Sequence, residues 1–532
     1  MARIGPLAQF AAKMDFALCA GFTAAGKGGK MLRLVTVLFL AMPLMAAEPW
    51  EIGLAPKGAR IEAMSVPSVL NTAPTVLLIG GLNGDDETAR AVAQEVRAFE
   101  AVSPGRRALH LLAIPLANPE KSRLVFPPTG AAYRDNSESH VLWRWIAIQA
   151  PDLVLIAGNE DFGLATALSE NVVAGVGRIP TEHVTANVGM LQPILKRKDI
   201  PRSAAHQEIA RRRSRSARQL AGELAQYYGH EFNDLTYIPG MGLVGQVRLG
   251  RVADVEPLVA PWVDGPKAGP PGRPVSGNLS GYLVFAELAE RTGNARYAEM
   301  VRTAASVGFT DSGEMKESMP SSNEMSDSVF MSIPILGKAA KLTGDRKYCD
   351  MASRHLSFMQ KLDLRPDGLY RHSPTSDNVA WGRGNAFPAL GMALTLSDCP
   401  KDHPEFNRML AAFQQHIAAL APFQDRDGLW HEVIDVPGSY AEFTATAMIA
   451  VAMLRGVRNG WLDPASYQPR IDKAWRAILA RVGANGELMD VCESTNKQKT
   501  LQDYLYREAI LGRDTRGGGM ALLLATEMAG LY

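Results

Sequence analysis

The residues best suited to chemistry lie in the second half of a 532-residue chain. Trp381-Gly382-Arg383-Gly384-Asn385 sets a flat aromatic face beside a planar guanidinium, on a backbone whose two glycines permit close approach. An aromatic wall beside a fork that matches a carboxylate suits an acidic sugar ring. Two Asp-Gly turns carry related side chains: Asp367-Gly368 leads into Tyr370-Arg371-His372, and Asp427-Gly428 into Trp430-His431-Glu432. Each delivers an aromatic with a histidine, although Asp-Gly also makes an ordinary turn whose aromatic plugs the helix beneath. Asp327 precedes Ser328-Val329-Phe330-Met331 and Ile333-Pro334-Ile335-Leu336, so a carboxyl stands at the mouth of an apolar helix. It reads either as a helix cap or as a general acid whose charged form burial disfavours.

Such residues need elements to hold them. From about Ala204 onward the chain reads as long amphipathic helices joined by glycine-rich turns, with a Pro/Gly loop from Gly265 to Pro274. Thr292-Gly293-Asn294-Ala295-Arg296-Tyr297 recurs one hairpin later as Thr343-Gly344-Asp345-Arg346-Lys347-Tyr348. The Asp-Gly-Leu-aromatic turns repeat in the same way, so two turn types alternate. A helical hairpin cannot bury its apolar face alone; a period of about 50 to 60 residues allows about six hairpins over 204–532. The apolar end Met520-Ala521-Leu522-Leu523-Leu524 lacks a polar cap. Closure into an (α/α)6 toroid is therefore expected over an open solenoid, with turns gathered at one end around Asp327, His372, Trp381, Arg383, Phe387, Trp430 and His431. Residues 48–200 instead alternate strand and helix: strands at 75–79, 108–114 and 152–156, helices at 87–99 and 141–150. The expected fold is an α/β N-terminal domain followed by an all-α (α/α)6 toroid at 204–532.

Fifty-six basic and 55 acidic side chains nearly cancel, which leaves no global field for nucleic acid or a membrane surface. Arg211-Arg212-Arg213-Ser214-Arg215 reads as a solvated helix face. The apolar run Leu34 to Leu44 follows Arg33 and ends in Met45-Ala46-Ala47, the order of a secretory signal at 31–47. It is shorter than a bilayer span, so export to the periplasm or beyond is expected, without a membrane anchor. Met31 is then the initiator and residues 1–30 an upstream mis-start. Cys349, Cys399 and Cys492 remain, an odd number without metal-ligand spacing; no disulfide scaffold, metal or cofactor is expected.

With these residues in view, the helical part resembles the unsaturated uronyl hydrolases of glycoside hydrolase families 88 and 105, particularly the unsaturated rhamnogalacturonyl hydrolases. The matching segments are Asp327 to Met331 with Pro334, the turn ending at Tyr348, Gly368 to His372, Trp381 to Asn385 with Phe387, and Gly428 to Val433. The helix start at Glu442 to Met448, Gly456 to Gly460 and Gly517 to Ala521 follow in the family's order. The resemblance implies removal of a 4,5-unsaturated uronic acid from the non-reducing end of lyase-made oligosaccharides. Asp327 takes the acid/base position. Arg383 is implied to bind the uronate, between walls of Trp381, Phe387 and Trp430, with Asn385 in the same motif and His372 and His431 on sugar hydroxyls. An acidic oligosaccharide is the implied partner; no protein partner is implied. Two positions depart: Ser276-Gly277-Asn278-Leu279 lacks an acid common in the family, and Phe387 stands where many members have tryptophan. The departures keep a second expectation open, an inactive carbohydrate-binding relative.

The first domain is similar, more weakly, to the zinc carboxypeptidase and aspartoacylase fold through Gly80 to Asp86, Asn118-Pro119 and Pro151-Asp152. Asn83, Asp86 and Gly158 stand at its metal-binding positions. Asparagine and glycine cannot replace imidazole, so a metal-free domain is expected.

Overall fold

Two apolar runs dictate the first layer: Thr75–Ile79 and Leu153–Ala157 bury almost every side chain, as strands covered on both faces must. The structure is a computed structural model that describes residues 47, 49–268, 278–320, 322 and 324–532. Residues 1–30, the signal segment apart from Ala47, and residues 269–274 of the Pro/Gly loop lie outside it. The strands are β1 (Trp50–Leu54), β2 (Arg60–Val66), β3 (Thr75–Ile79), β4 (His110–Ile114), β5 (Leu153–Ala157) and β6 (Thr181–Val184). They form one sheet in the order β1-β2-β4-β3-β5-β6. β4, β3, β5 and β6 run parallel, while β1 and β2 are antiparallel, so the sheet is mixed. Helix α1 (Asp86–Glu100) starts where the Asp85 carboxylate accepts from Thr88 N at 2.7 Å and covers one face; α2 (Ser137–Gln149) covers the other.

The C-terminal part is helical. Six helices succeed one another in contact: α3 (Tyr237–Arg248), α4 (Leu283–Thr292), α5 (Ser328–Thr343), α6 (Gly382–Asp398), α7 (Phe443–Arg458) and α8 (Thr515–Met528). Each packs on the next, and α8 packs on α3. Between them return helices such as Lys347–Asp363 and Phe406–Leu420. α6 and α7 are buried nearly all round, which accounts for their weak amphipathic pattern. The two repeated turn types fall at opposite ends. Gly293 (φ 69°) and Gly344 (φ 73°) close α4 and α5 in the left-handed conformation that favours glycine. The Asp-Gly turns at Gly368 and Gly428 lead into the starts of α6 and α7. Two small hairpins sit at that end, β7 (Trp430–His431) with β8 (Ala441–Glu442), and β9 (Leu488–Cys492) with β10 (Ala509–Gly512).

Sheet and helices pack in one unit. Arg144 Nη1, from α2, lies 2.6 Å from Asp490 Oδ1 on β9, and both side chains are buried. Tyr133 stacks on Tyr440 at 4.8 Å. Here two expectations are corrected. Arg212 and Arg215 are not solvated: they are 4% and 7% exposed. Arg212 donates to Ala480 O (3.0 Å) and Gly175 O (2.6 Å), and Arg215 to Leu479 O and Val482 O (both 2.7 Å). They satisfy carbonyls left open at the C-terminus of helix Pro464–Arg481, which needs donors rather than water. Arg211 and Arg213 are exposed. The cysteines also pair: Cys349, at the start of its helix, and Cys399, just past α6, are disulfide-bonded with Cα atoms 6.1 Å apart. Hairpin stacking brings them together, which a count of cysteines does not reveal.

The bond closes a loop with a sequence separation of 50 residues. Reduction, or the pair Cys349→Ala with Cys399→Ala, should lower unfolding free energy by about 4 kcal/mol. Denaturant titrations with and without reductant check this, the double variant being indifferent to reductant.

Candidate active site

Asp327 occupies the cap position before α5 but makes no capping bond to the helix. Its side chain is 13% exposed, with Oδ1 3.4 Å from Nε2 of the fully buried His372. The carboxyl is thus not spent on the helix start. His372 is placed by its turn: its N–H donates to Val379 O at 3.1 Å, and its carbonyl accepts from Ser326 N at 3.0 Å, beside Asp327. Nδ1 lies 2.7 Å from the Tyr504 hydroxyl. The imidazole also packs on Trp381, with ring centroids 4.5 Å apart. Gly384 makes this convergence possible, because a Cβ there would lie 3.0 Å from Ser326 Oγ and 3.1 Å from the Trp381 ring.

Beneath Trp381 lies a buried charge cluster. The indole Nε1 donates to Glu432 Oε1 at 2.9 Å, and the Cys492 thiol donates to the same oxygen at 3.2 Å. Burial pushes Glu432 up to about 8; neighbouring Glu442 pushes the same way, and Arg383 pulls back. Glu442 is better supplied: its carboxylate accepts from Thr444 N (3.1 Å), Ala445 N (2.5 Å) and Cys492 N (3.0 Å). A second carboxyl near Asp327 is Asp363, raised to about 7 by burial and further by Asp327, although Arg371 Nε stands 3.3 Å away and opposes the shift.

Of the residues expected to face a sugar, His372 and Trp381 join Asp327, and the others do different work. Arg383 is 2% exposed; Nη1 donates to Cys492 O (2.5 Å) and Nη2 to Glu493 O (2.7 Å), so its fork is occupied by main chain. Asn385 clips two turns together, accepting from Tyr370 N at 2.7 Å and donating to Tyr370 O and Trp381 O. Phe387 is in the core against Tyr237 and Phe330. Trp430 is fully buried with its indole on Leu420 O, the plug beneath an Asp-Gly turn. His431 faces away from Asp327 towards the sheet. It lines a small cavity of about 50 Å³ with Trp50, Tyr133, Arg144, Asp425 and Asp490. There burial lowers its pKa, but Asp425 Oδ2 at 3.1 Å outweighs burial and the net shift is upward. Tyr504, Glu432 and Asp363 belong to the neighbourhood and were not legible. Tyr504 stands 132 residues from His372 and carries no motif.

In the first domain, Asn83 donates to Glu160 at 3.1 Å and accepts from Asp85 N, while Gly158 O lies 2.8 Å from His183 Nδ1. Among the described residues no three His, Cys, Asp or Glu side chains are grouped to hold a metal.

Residues 278–532 match the family model of Glycosyl Hydrolase Family 88, the span that contains Asp327, His372 and Trp381. The chain is 28% identical over 169 residues to an unsaturated 3S-rhamnoglycuronyl hydrolase of Formosa agariphila, covering 29% of the chain and 45% of that relative. It is 34% identical over 126 residues to an unsaturated rhamnogalacturonyl hydrolase of Bacillus subtilis, covering 24% and 35%. The chain spans less than half the length of each. A solved structure of a possible GH105 family member from Salmonella enterica is similar with a TM-score of 0.49 and 22% identity, covering 64% of this chain and 98% of that one.

Glu432 is raised from 4.5 to about 8 on folding. The folded state therefore binds more protons between those values, and stability falls as pH rises through that window. Glu432→Gln keeps an acceptor for Trp381 and removes the titration. Its melting temperature should drop less than the wild type's between pH 5 and about 8.5; parallel slopes in thermal scans would contradict the assignment.

Proposed function

We propose that the protein removes a 4,5-unsaturated uronic acid from the non-reducing end of lyase-generated acidic oligosaccharides. The observation that carries this reading is the placement of Asp327. It heads an apolar helix without capping it, with Oδ1 beside Nε2 of His372, whose ring packs on Trp381, inside the span that matches Glycosyl Hydrolase Family 88. In the proposed reaction the Asp327 carboxyl gives its proton to C4 of the vinyl ether, and positive charge develops at C5 and the ring oxygen. Water adds at C5 as the Asp327 carboxylate takes a proton from it. The hemiketal then opens to a ketone and releases the remaining sugar. No pair of carboxylates flanking the scissile bond is needed, unlike the usual retaining or inverting route. His372, held by Tyr504, orients the carboxyl, and Trp381 forms a wall of the subsite.

The succession α3 to α8, closing back on α3, is in this reading the inner ring of an (α/α)6 barrel. The α/β domain buttresses it through Arg144, and Arg212 of the helical part holds both Ala480 O and Gly175 O of the α/β domain. Export is part of the proposal, supported by the Cys349–Cys399 disulfide, a bond that persists in oxidising compartments. Among the described residues no helix is long and apolar enough to cross a membrane. The stretch Ser276-Gly277-Asn278-Leu279, without the acid that the resemblance leads one to expect there, motivates the second reading, a carbohydrate-binding relative that does not turn substrate over.

Loss of the ultraviolet absorbance of unsaturated oligosaccharides from pectin, ulvan and glycosaminoglycan lyases tests both. Consumption of one product is expected, with Asp327→Asn slower by about 10³-fold or more and folded to the same melting temperature. Binding without consumption would establish the second reading.

A further inference from the structure

We propose that Arg516, rather than Arg383, is the cation that takes the acidic group of the sugar, a proposal that rests on the uronyl hydrolase reading. Arg516 is the second residue of α8, so it stands at the helix start that α8 contributes next to α3. Successive ring helices are joined through a returning helix and therefore run the same way, which puts their starts, Asp327 and Trp381 included, at one end.

Tyr237, the first residue of α3, connects the two places. Its ring meets Phe330 and Phe387 edge-on, and its hydroxyl is pushed up chiefly by burial, with Asp327 and Asp514 adding to the rise and Arg383 and Arg516 opposing it. Asp514 anchors one edge of the Arg516 fork: Oδ2 lies 3.0 Å from Nη2, while Oδ1 accepts from Arg516 N at 2.9 Å and Gly517 N at 3.1 Å. The other edge has no protein partner. Nη1 is buried and has no hydrogen-bond partner, and the side chain as a whole is 16% exposed, close to the 13% of Asp327.

The neighbouring cations are committed elsewhere. Arg383 donates through both Nη atoms to main-chain carbonyls, which leaves only its Nε without a partner. Arg371 is held by Asp363 and Leu362 O, and Lys497 by Glu324. A guanidinium anchored along one edge and free along the other matches a carboxylate geometrically, and prior anchoring reduces the ordering cost of binding. The anchor is rigid, because α8 begins in contact so close that a Cβ on Gly518 would lie 2.2 Å from the Tyr228 ring.

The test compares an unsaturated uronyl disaccharide with its methyl ester, using wild type, Arg516→Gln and Arg516→Lys. Arg516→Gln should raise KM for the acid about 10- to 100-fold, leave kcat within about threefold, and treat the ester as the wild type does. Arg516→Lys should recover part of the loss. An unchanged KM for the acid, or equal losses on acid and ester, overturns the proposal. If the wild type consumes neither compound, the hydrolase reading fails by itself and calorimetric binding of glucuronate against glucose decides the role of Arg516. A preference for the acid that Arg516→Gln abolishes supports the role; no preference, or one that survives, overturns it. Should Arg516→Gln fail to fold, Arg516→Lys carries the same comparison, with a KM for the acid equal to wild type counting against the assignment.

Discussion

A guanidinium taken out of water must be surrounded by acceptors, and the interior around Arg383 is organised by that requirement. Its two Nη groups hold the carbonyls of Cys492 and Glu493, which fastens the β9 hairpin against the start of α6. The same β9 strand presents Cys492 N to Glu442 and the Cys492 thiol to Glu432. Glu432 in turn holds the Trp381 indole. One arginine in the Trp-Gly-Arg-Gly-Asn run thus fixes the wall against which His372 rests.

The cluster explains how two buried carboxyls coexist so close together. Glu442 accepts three backbone N–H groups and stands 3.8 Å from Arg383. Glu432 has two side-chain donors on one oxygen, and its second oxygen has no partner, which favours the neutral acid.

Much of this architecture was legible in the chain and part was not, for physical reasons that individual residues show. Val76 to Ile79 and Leu153 to Ala157 are apolar without alternation, so buried strands follow directly. Gly293 and Gly344 occupy left-handed positions where glycine is favoured, and their repetition exposed the hairpin period. Asp327 stood out because a carboxyl before an apolar helix must either cap it or do something else. What did not transfer was direction. Trp430 and Trp381 both stand shortly before an inner helix, yet Trp430 sits in the core with its indole on Leu420 O while Trp381 packs on His372; residue type does not encode which. Arg383 and Arg212 look like surface or ligand-binding cations until the carbonyls they satisfy, more than 100 residues away, are in place. The disulfide and Tyr504 depend on the same long-range assembly.

The docking of Arg212 and Arg215 has a consequence for how the molecule comes apart. Their guanidinium groups close the carbonyl end of helix Pro464–Arg481, and Arg212 simultaneously holds Gly175 next to the sheet. Melting the α/β layer alone would break the Arg212–Gly175 bond and leave buried Asp490 without Arg144. Calorimetrically, sheet and helices then share one cooperative transition, and any breakdown begins elsewhere, at solvent-facing segments such as the Lys497–Glu324 contact.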